Sequence, residues 1–153
     1  ATEKGGTVHC GGKLEYHGGG DWIQPTVISK VNHDMKIVTA ETFGPILAVL
    51  AVSSREVAVE LANDTDYGLS GAVFAGTEEE AMAVAEQLDI GGISINDAAL
   101  TAVLNDGEKD SFKYSGLGGT RMGPGAIKRF LRRKALYSAE KSDIDPWWFD
   151  GEG

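Results

Sequence analysis

The sequence predicts an α/β fold, a largely parallel twisted sheet with helices on its faces. Residues 46–52 are apolar and rich in β-branched side chains without polar alternation, a pattern typical of a strand covered on both faces. Two capping boxes, residues 53–56 and 77–80, start helices after it. Apolar segments at 68–75 and 91–96 follow these helices, so strands and helices alternate, as in parallel sheets with right-handed crossovers.

The first 40 residues predict short strands separated by turns. Glycine pairs bracket residues 7–10 and 13–16, which we interpret as a strand and a loop-rich hairpin. Pro25 opens the strand of segment 22–28, because residues before proline tend to be extended. A turn at 32–34 then leads through residues 35–39 to the segment Ala40-Glu41-Thr42-Phe43-Gly44-Pro45.

The rest of the chain has two clear helices and a less regular end. Residues 98–104 fit either a helical turn or a loop, Pro124 opens a last helix, and residues 135–138 predict a final short strand. The acidic residues 140–153 contain three adjacent aromatic residues, which suggests packing on something such as another subunit. The apolar positions of the two clear helices recur at helical spacing: Val57, Ala58, Leu61 and Ala62, then Ala81, Val84, Ala85 and Leu88.

Composition excludes several classes of protein. With 153 residues the chain is long enough for one domain with one core. A net charge of −9 argues against a nucleic-acid partner, and no apolar run approaches the ~20 residues of a membrane span. The basic residues between 128 and 134 are more typical of a solvated helix end than of a phosphate site. A single cysteine fits a reducing compartment, so we expect a cytoplasmic protein.

Local sequence identifies no catalytic residue and no metal site. Cys10 lies in a short strand beside His9, whose side chain should face the other way, so a structural thiol is favoured over a nucleophile. The three histidines lack metal-ligand spacing, and residues 116–120 lack the ending of a phosphate loop. Glu41 and Phe43 could offer an acceptor and a flat apolar face to one ligand, although an ordinary turn is the simpler interpretation.

Five blocks follow one another in order across residues 5–138: Cys10-Gly11-Gly12 with Trp22 to Val27, Glu41-Thr42-Phe43-Gly44-Pro45, Ala62 to Ser70, Gly91 to Asn96, and Ser111 to Gly118. Together these blocks resemble the aldehyde dehydrogenase superfamily. Residues 111–118 lack the two glycines that this family has between Phe and Lys, and Gly119-Thr120 are added instead. The resemblance covers the family's C-terminal part.

This resemblance implies an NAD(P)-dependent aldehyde dehydrogenase, with NAD or NADP as cofactor and an aldehyde as substrate. It implies that Glu41 binds the nicotinamide ribose hydroxyls, that Phe43 packs near the nicotinamide and that Phe112 lines the aldehyde tunnel. The family's nucleophilic cysteine, general base and cofactor-binding domain lie upstream of the matching segment, so we expect the isolated chain to be inactive. The start at Ala1, without an initiator methionine, favours a fragment.

The implied organisation is a partial catalytic domain at 1–131, an oligomerisation strand at 132–139 and an acidic aromatic tail at 140–153 with Trp147-Trp148. In the family, the strand that corresponds to Arg133 to Tyr137 pairs with another subunit, so a homo-oligomer is expected. The main alternative is a non-catalytic assembly or binding module of this fold, and a stand-alone nucleotide-binding module is the weakest. The aldehyde, the choice between NAD and NADP, and release by water or a thiol stay open.

Overall fold

The computed structural model describes residues 1–138, which form an α/β arrangement of short strands and helices and confirm the predicted fold class. Single turns of 3₁₀-helix occur at Thr2–Lys4 and Ala126–Phe130. The strands are β1 Thr7–Cys10, β2 Leu14–His17, β3 Gly20–Ile23, β4 Thr26–Ser29, β5 Ile46–Val49, β6 Tyr67–Gly68, β7 Gly71–Val73, β8 Ile93–Ile95 and β9 Phe112–Lys113, and the helices are α1 Lys36–Thr39, α2 Arg55–Asn63, α3 Glu78–Ala85 and α4 Leu100–Val103.

The first sheet has the order β1-β4-β5. β1 is antiparallel to β4, whereas β4 and β5 are parallel, with Thr26 opposite Ile46 and Ser29 opposite Val49. β2 and β3 form a separate hairpin whose tight connection uses Gly18 and Gly19 at positive φ. The apolar segment before Ala40 is the helical turn α1, which crosses between the two parallel strands.

A second α/β unit contains β7, α3 and β8. The two strands are parallel and α3 is the crossover between them, as the alternation of strands and helices predicts. Thr77 caps α3 by accepting a hydrogen bond from the Glu80 backbone N–H at 3.2 Å, as expected. α2 is capped by Ser54, whose hydroxyl accepts from the Val57 N–H at 3.3 Å, one position later than the predicted capping box.

The core is divided into two small clusters instead of the single core expected from the chain length. One cluster contains Ile28, Val31 and Met35 against the first sheet, and the other contains Val73, Ala81 and Ala85 between β7, β8 and α3. The prediction that residues 46–52 form a strand covered on both faces is wrong for residues 1–138. Alternate side chains of β5, including Leu47 at 60% exposure, remain accessible because no other described element covers that face.

The described C-terminal part is less regular than predicted. A 3₁₀ turn replaces the helix expected from Pro124, and residues 131–138 have no assigned strand. Pairing of Arg133 to Tyr137 with another subunit therefore stays a prediction, and the aromatic tail lies outside the described residues. Among the helices of residues 1–138, none has the length and apolar character needed to cross a bilayer. The same residues contain no cluster of three or more His, Cys, Asp or Glu placed to hold a metal ion.

Candidate functional site

Thr26 fixes the loop that carries Glu41 and Phe43. The Thr26 side chain is buried, and its hydroxyl donates to the Gln24 carbonyl at 2.7 Å and accepts from the Gly12 N–H at 2.8 Å. The Thr26 N–H donates to the Pro45 carbonyl at 2.8 Å, which ties the end of the loop to β4. Gly11 has φ +69°, and a Cβ there would lie 2.4 Å from the Thr26 hydroxyl oxygen, so only glycine fits. Two of the matching blocks thus meet at Thr26, one through its hydroxyl and the other through its backbone N–H.

Glu41 lines a cleft of about 470 Å³. Residues 67–70, Tyr114 and Ser115 also line it, so segments more than 25 residues apart in sequence enclose it. No residue of 1–138 forms a salt bridge with the Glu41 carboxylate. A carboxylate in this setting can accept hydrogen bonds from hydroxyl groups of a ligand.

Phe43 lies in the same loop but outside the residues that line the cleft. It is 94% exposed and has φ +46°, in the left-handed region that bulky residues rarely occupy. Backbone outliers of this kind cost about 1–3 kcal/mol and cluster at ligand-binding loops. The combination of an exposed aromatic ring and a strained backbone is compatible with the predicted nicotinamide contact, which stays a prediction.

Asn63 joins three elements next to the residues that line the cleft. Its side-chain amide donates to the Gln87 carbonyl and its side-chain oxygen accepts from the Asp89 N–H, both at 2.8 Å. The Asn63 backbone carbonyl accepts from the Lys113 ammonium at 2.7 Å. One asparagine at the end of α2 therefore connects α2, the segment after α3, and β9.

Ser115 links this framework to the surface of the cleft. Its hydroxyl accepts from the N–H of the buried Gly68 at 2.9 Å, across 47 residues of sequence. One position earlier, the Tyr114 N–H donates to the Asp66 carbonyl, also at 2.9 Å. These two bonds and the β6–β9 pairing align residues 112–115 with residues 66–68. The sequence singled out both segments without indicating that they bond to each other.

Phe112 packs against glycines and is not among the residues that line the cleft of Glu41. Its Cβ lies 2.8 Å from the position that a Cβ on Gly68 would take, and its ring edge lies 3.4 Å from the corresponding position at Gly91. Phe112 is 43% exposed. The structure thus places it across the β6–β9 pair and apart from Glu41, and its role in an aldehyde tunnel stays a prediction.

A second cleft, of about 700 Å³, adjoins the first and shares Leu69, Ser70 and Ser115 with it. Its walls include the glycine-rich residues 116–119, which by themselves fail as a phosphate loop. Sequence reasoning missed Lys109 and Arg121, which also line this cleft together with Arg129. No local pattern marks them, because they come together only through the fold.

Cys10 lies in β1, away from both clefts. Its thiol is exposed and unpaired, and its hydrogen-bond partner is the Pro25 carbonyl at 3.7 Å. The neighbouring His9 instead contacts the Ser29 hydroxyl at 2.6 Å. Cys10 therefore lacks the adjacent base that activates a nucleophilic thiol.

Comparisons with known proteins agree on one family. The model of the aldehyde dehydrogenase family matches residues 1–136. The chain is 59% identical in sequence to PutA of Anabaena variabilis, which is grouped with the aldehyde dehydrogenases; the TM-score is 0.84, over 98% of this chain and 32% of that one. It is also similar to a Mycobacterium tuberculosis aldehyde dehydrogenase solved with NAD+, at 32% identity and TM-score 0.77, covering 87% of this chain and 27% of that one.

Among curated proteins, the mitochondrial succinate-semialdehyde dehydrogenase of Rattus norvegicus is 38% identical over 118 residues, which is 77% of this chain and 22% of that protein. The chain spans between 22% and 30% of the length of the first four curated relatives that it matches. These relatives therefore contain large regions with no counterpart among the 153 residues.

Proposed function

We propose that this chain, which belongs to the aldehyde dehydrogenase family, forms part of the catalytic domain of an enzyme. That enzyme oxidises an aldehyde with NAD or NADP. The observation that carries this proposal is the cleft that Glu41 lines together with residues 67–70 and 114–115. Its volume of about 470 Å³ is within the range of small-molecule sites.

The residues present fit one end of a nicotinamide cofactor. The Glu41 carboxylate has free acceptor capacity toward two ribose hydroxyls, and the exposed Phe43 ring offers a flat apolar face to the nicotinamide. When bound, NAD or NADP accepts a hydride from the substrate. Glu41 and Phe43 bind and orient, while the thiol nucleophile that attacks the aldehyde belongs, in this proposal, to a part of the enzyme outside these 153 residues. The isolated chain is accordingly proposed to be inactive.

The organisation expected from the sequence belongs to the same proposal. Residues 1–131 form part of the catalytic domain, and the segment 132–139 becomes a strand when it pairs with a second copy, since residues 132–138 have no assigned strand in the single chain. The tail expected at 140–153 lies outside the described residues. The exposed side chains of Leu136 and Tyr137, at 82% and 95%, give such pairing apolar surface to bury. A cytoplasmic location is proposed on the basis of the single unpaired cysteine.

The proposal is tested with the protein encoded by the open reading frame that contains this chain. Formation of reduced cofactor is followed by absorbance with a panel of aldehydes and either NAD or NADP. Glu41→Gln should raise the KM for the cofactor roughly tenfold, because a carboxylate accepts ribose hydroxyls more strongly than an amide does. Glu3→Gln, an exposed change outside both clefts, is the matched control.

Absence of turnover in that complete protein would contradict the enzymatic proposal and favour a non-catalytic assembly module. A cofactor KM that Glu41→Gln leaves unchanged would contradict the role of Glu41 alone. Turnover by the isolated 153 residues would contradict the placement of the nucleophile outside the chain.

A further inference from the structure

We propose that the second cleft binds a carboxylate at the far end of the aldehyde substrate, so that the enzyme prefers aldehydes carrying an anionic group. This inference rests on the proposed function, since it names the substrate class of the adjoining site. The described lining of the cleft contains Lys109, Arg121 and Arg129 and no Asp or Glu. Within residues 1–138, none of these three cations forms a salt bridge with a carboxylate.

A buried threonine holds two of the cations at this cleft. The Thr120 hydroxyl accepts from the Lys109 N–H at 3.2 Å and from the Met122 N–H at 3.1 Å, and it donates to the Met122 carbonyl at 2.8 Å. Arg121 lies in the sequence between Thr120 and Met122, which these hydrogen bonds connect. The backbone at both basic positions is therefore set by tertiary contacts, so the cations do not rely on a flexible loop for their positions.

The side chains of Lys109 and Arg129 are also supported. The Lys109 side chain lies over Gly92, where a Cβ would come within 2.6 Å of the Lys109 Cδ, and its ammonium donates to the Thr101 carbonyl. The Arg129 guanidinium carbon lies 5.7 Å from the Phe130 ring centroid, within cation–π range. Cations that line one cleft and form no salt bridge within residues 1–138 raise the local concentration of an anion and form charge-assisted hydrogen bonds with it.

The residues that line both clefts determine where a bound anion lies relative to the cofactor. Leu69, Ser70 and Ser115 line both clefts, so a molecule held by the cations lies next to the Glu41 cleft. Leu117 and Met122 add apolar surface to the second cleft, which suits the carbon chain between a carboxylate and an aldehyde. A phosphate group of the cofactor is the competing anion, and the test separates the two.

The first measurement is substrate selectivity of the complete protein with succinic semialdehyde and butanal, which differ at the far end by a carboxylate. Arg121→Gln combined with Arg129→Gln should lower the kcat/KM ratio of succinic semialdehyde to butanal by about 10- to 100-fold, the loss expected for charge-assisted hydrogen bonds. Arg121→Lys in place of Arg121→Gln should restore part of the selectivity that the double variant loses. Lys128→Gln, a neighbouring exposed cation outside the cleft lining, should leave the ratio unchanged.

The second measurement is binding without catalysis, by calorimetric titration of the same protein with succinate and with uncharged succinamide. Succinate should bind the wild type in preference to succinamide, and the double variant should bind succinate at least about tenfold more weakly. Equal succinate affinity in wild type and double variant, or no succinate binding, overturns the inference. A double variant that raises the KM for NAD or NADP without changing the ratio of succinic semialdehyde to butanal overturns it in favour of a cofactor phosphate. Succinate binding without oxidation of any aldehyde contradicts the proposed function and leaves the anion cleft standing.

Discussion

Replacing Ser115 by alanine tests whether one hydroxyl holds the wall shared by the two clefts. The change removes the Ser115 hydroxyl oxygen, which accepts from the backbone N–H of the buried Gly68 at 2.9 Å. A neutral hydrogen bond contributes about 0.5–1.5 kcal/mol net, whereas a buried donor left without a partner costs about 1–3 kcal/mol. The orphaned donor is the larger effect, because alanine has no oxygen and is too small to bring another acceptor close. We therefore expect the free energy of unfolding to fall by about 1–3 kcal/mol.

The assay is urea unfolding, in which the midpoint should fall while its slope stays constant. Ser70→Ala is the matched control, because Ser70 also lines both clefts but its hydroxyl makes no hydrogen bond within residues 1–138. That variant should stay within about 0.5 kcal/mol of the wild type. Ser115→Thr, which retains the oxygen, should recover much of the loss. If Ser115→Ala and Ser70→Ala unfold at the same midpoint, the proposed role of the Gly68 bond is wrong.

Two further predictions concern other hydrogen-bonded positions. Thr26→Val keeps the side-chain shape but leaves the Gly12 N–H without its acceptor. Thermal unfolding should therefore show a free energy of unfolding about 1–3 kcal/mol lower, a loss that Thr26→Ser largely avoids. Equal stability of the two variants would contradict this. The pKa of Glu56 is held below its ordinary value of 4.5 by a hydrogen bond from its own backbone and then by Ser54. The stabilisation by Glu56 is therefore present above the pKa of the unfolded state and lost as pH falls through the pKa of the folded state. Glu56→Gln should make the free energy of unfolding fall less steeply as the pH is lowered. An unchanged fall in acid would refute this.

Several residues in the blocks that carry the family resemblance act as structural nodes in this chain. The Thr26 hydroxyl accepts from the Gly12 N–H, and the Thr26 N–H donates to the Pro45 carbonyl. Asn63 connects α2 with β9 by accepting from the Lys113 ammonium. These contacts give residues of the blocks a structural role that requires no chemistry of them. Glu41 is the predicted site residue that the structure places in a cleft, and the nodes around Thr26 hold its loop.

Local hydrogen bonding explains which elements were predictable from the sequence. Thr77 accepts from the N–H three residues later, so the start of α3 depends only on adjacent residues, and the apolar spacing that follows defines its buried face. The start of α2 was predicted with an error of one residue, because Ser53 and Ser54 are both good caps and only the structure shows which one bonds. Cover over β5 was not predictable, because an apolar run does not show whether a neighbouring element exists to pack on it.

The sequence by itself determined the α/β class, the main helix starts and the family resemblance, because these follow from periodicity, capping and residue order. Only the tertiary structure decided that residues 109–112 lie against Gly91 and Gly92, where an added Cβ would come within 1.6 Å of the Asp110 carbonyl oxygen and 2.6 Å of the Lys109 side chain. That close approach brings Lys109 to Arg121 and Arg129 at one cleft, beside the cleft of Glu41. The physical reason is that such contacts need two segments of the chain to approach closely. Here the approach is possible because Gly91 and Gly92, far from residues 109–112 in sequence, carry no side chain.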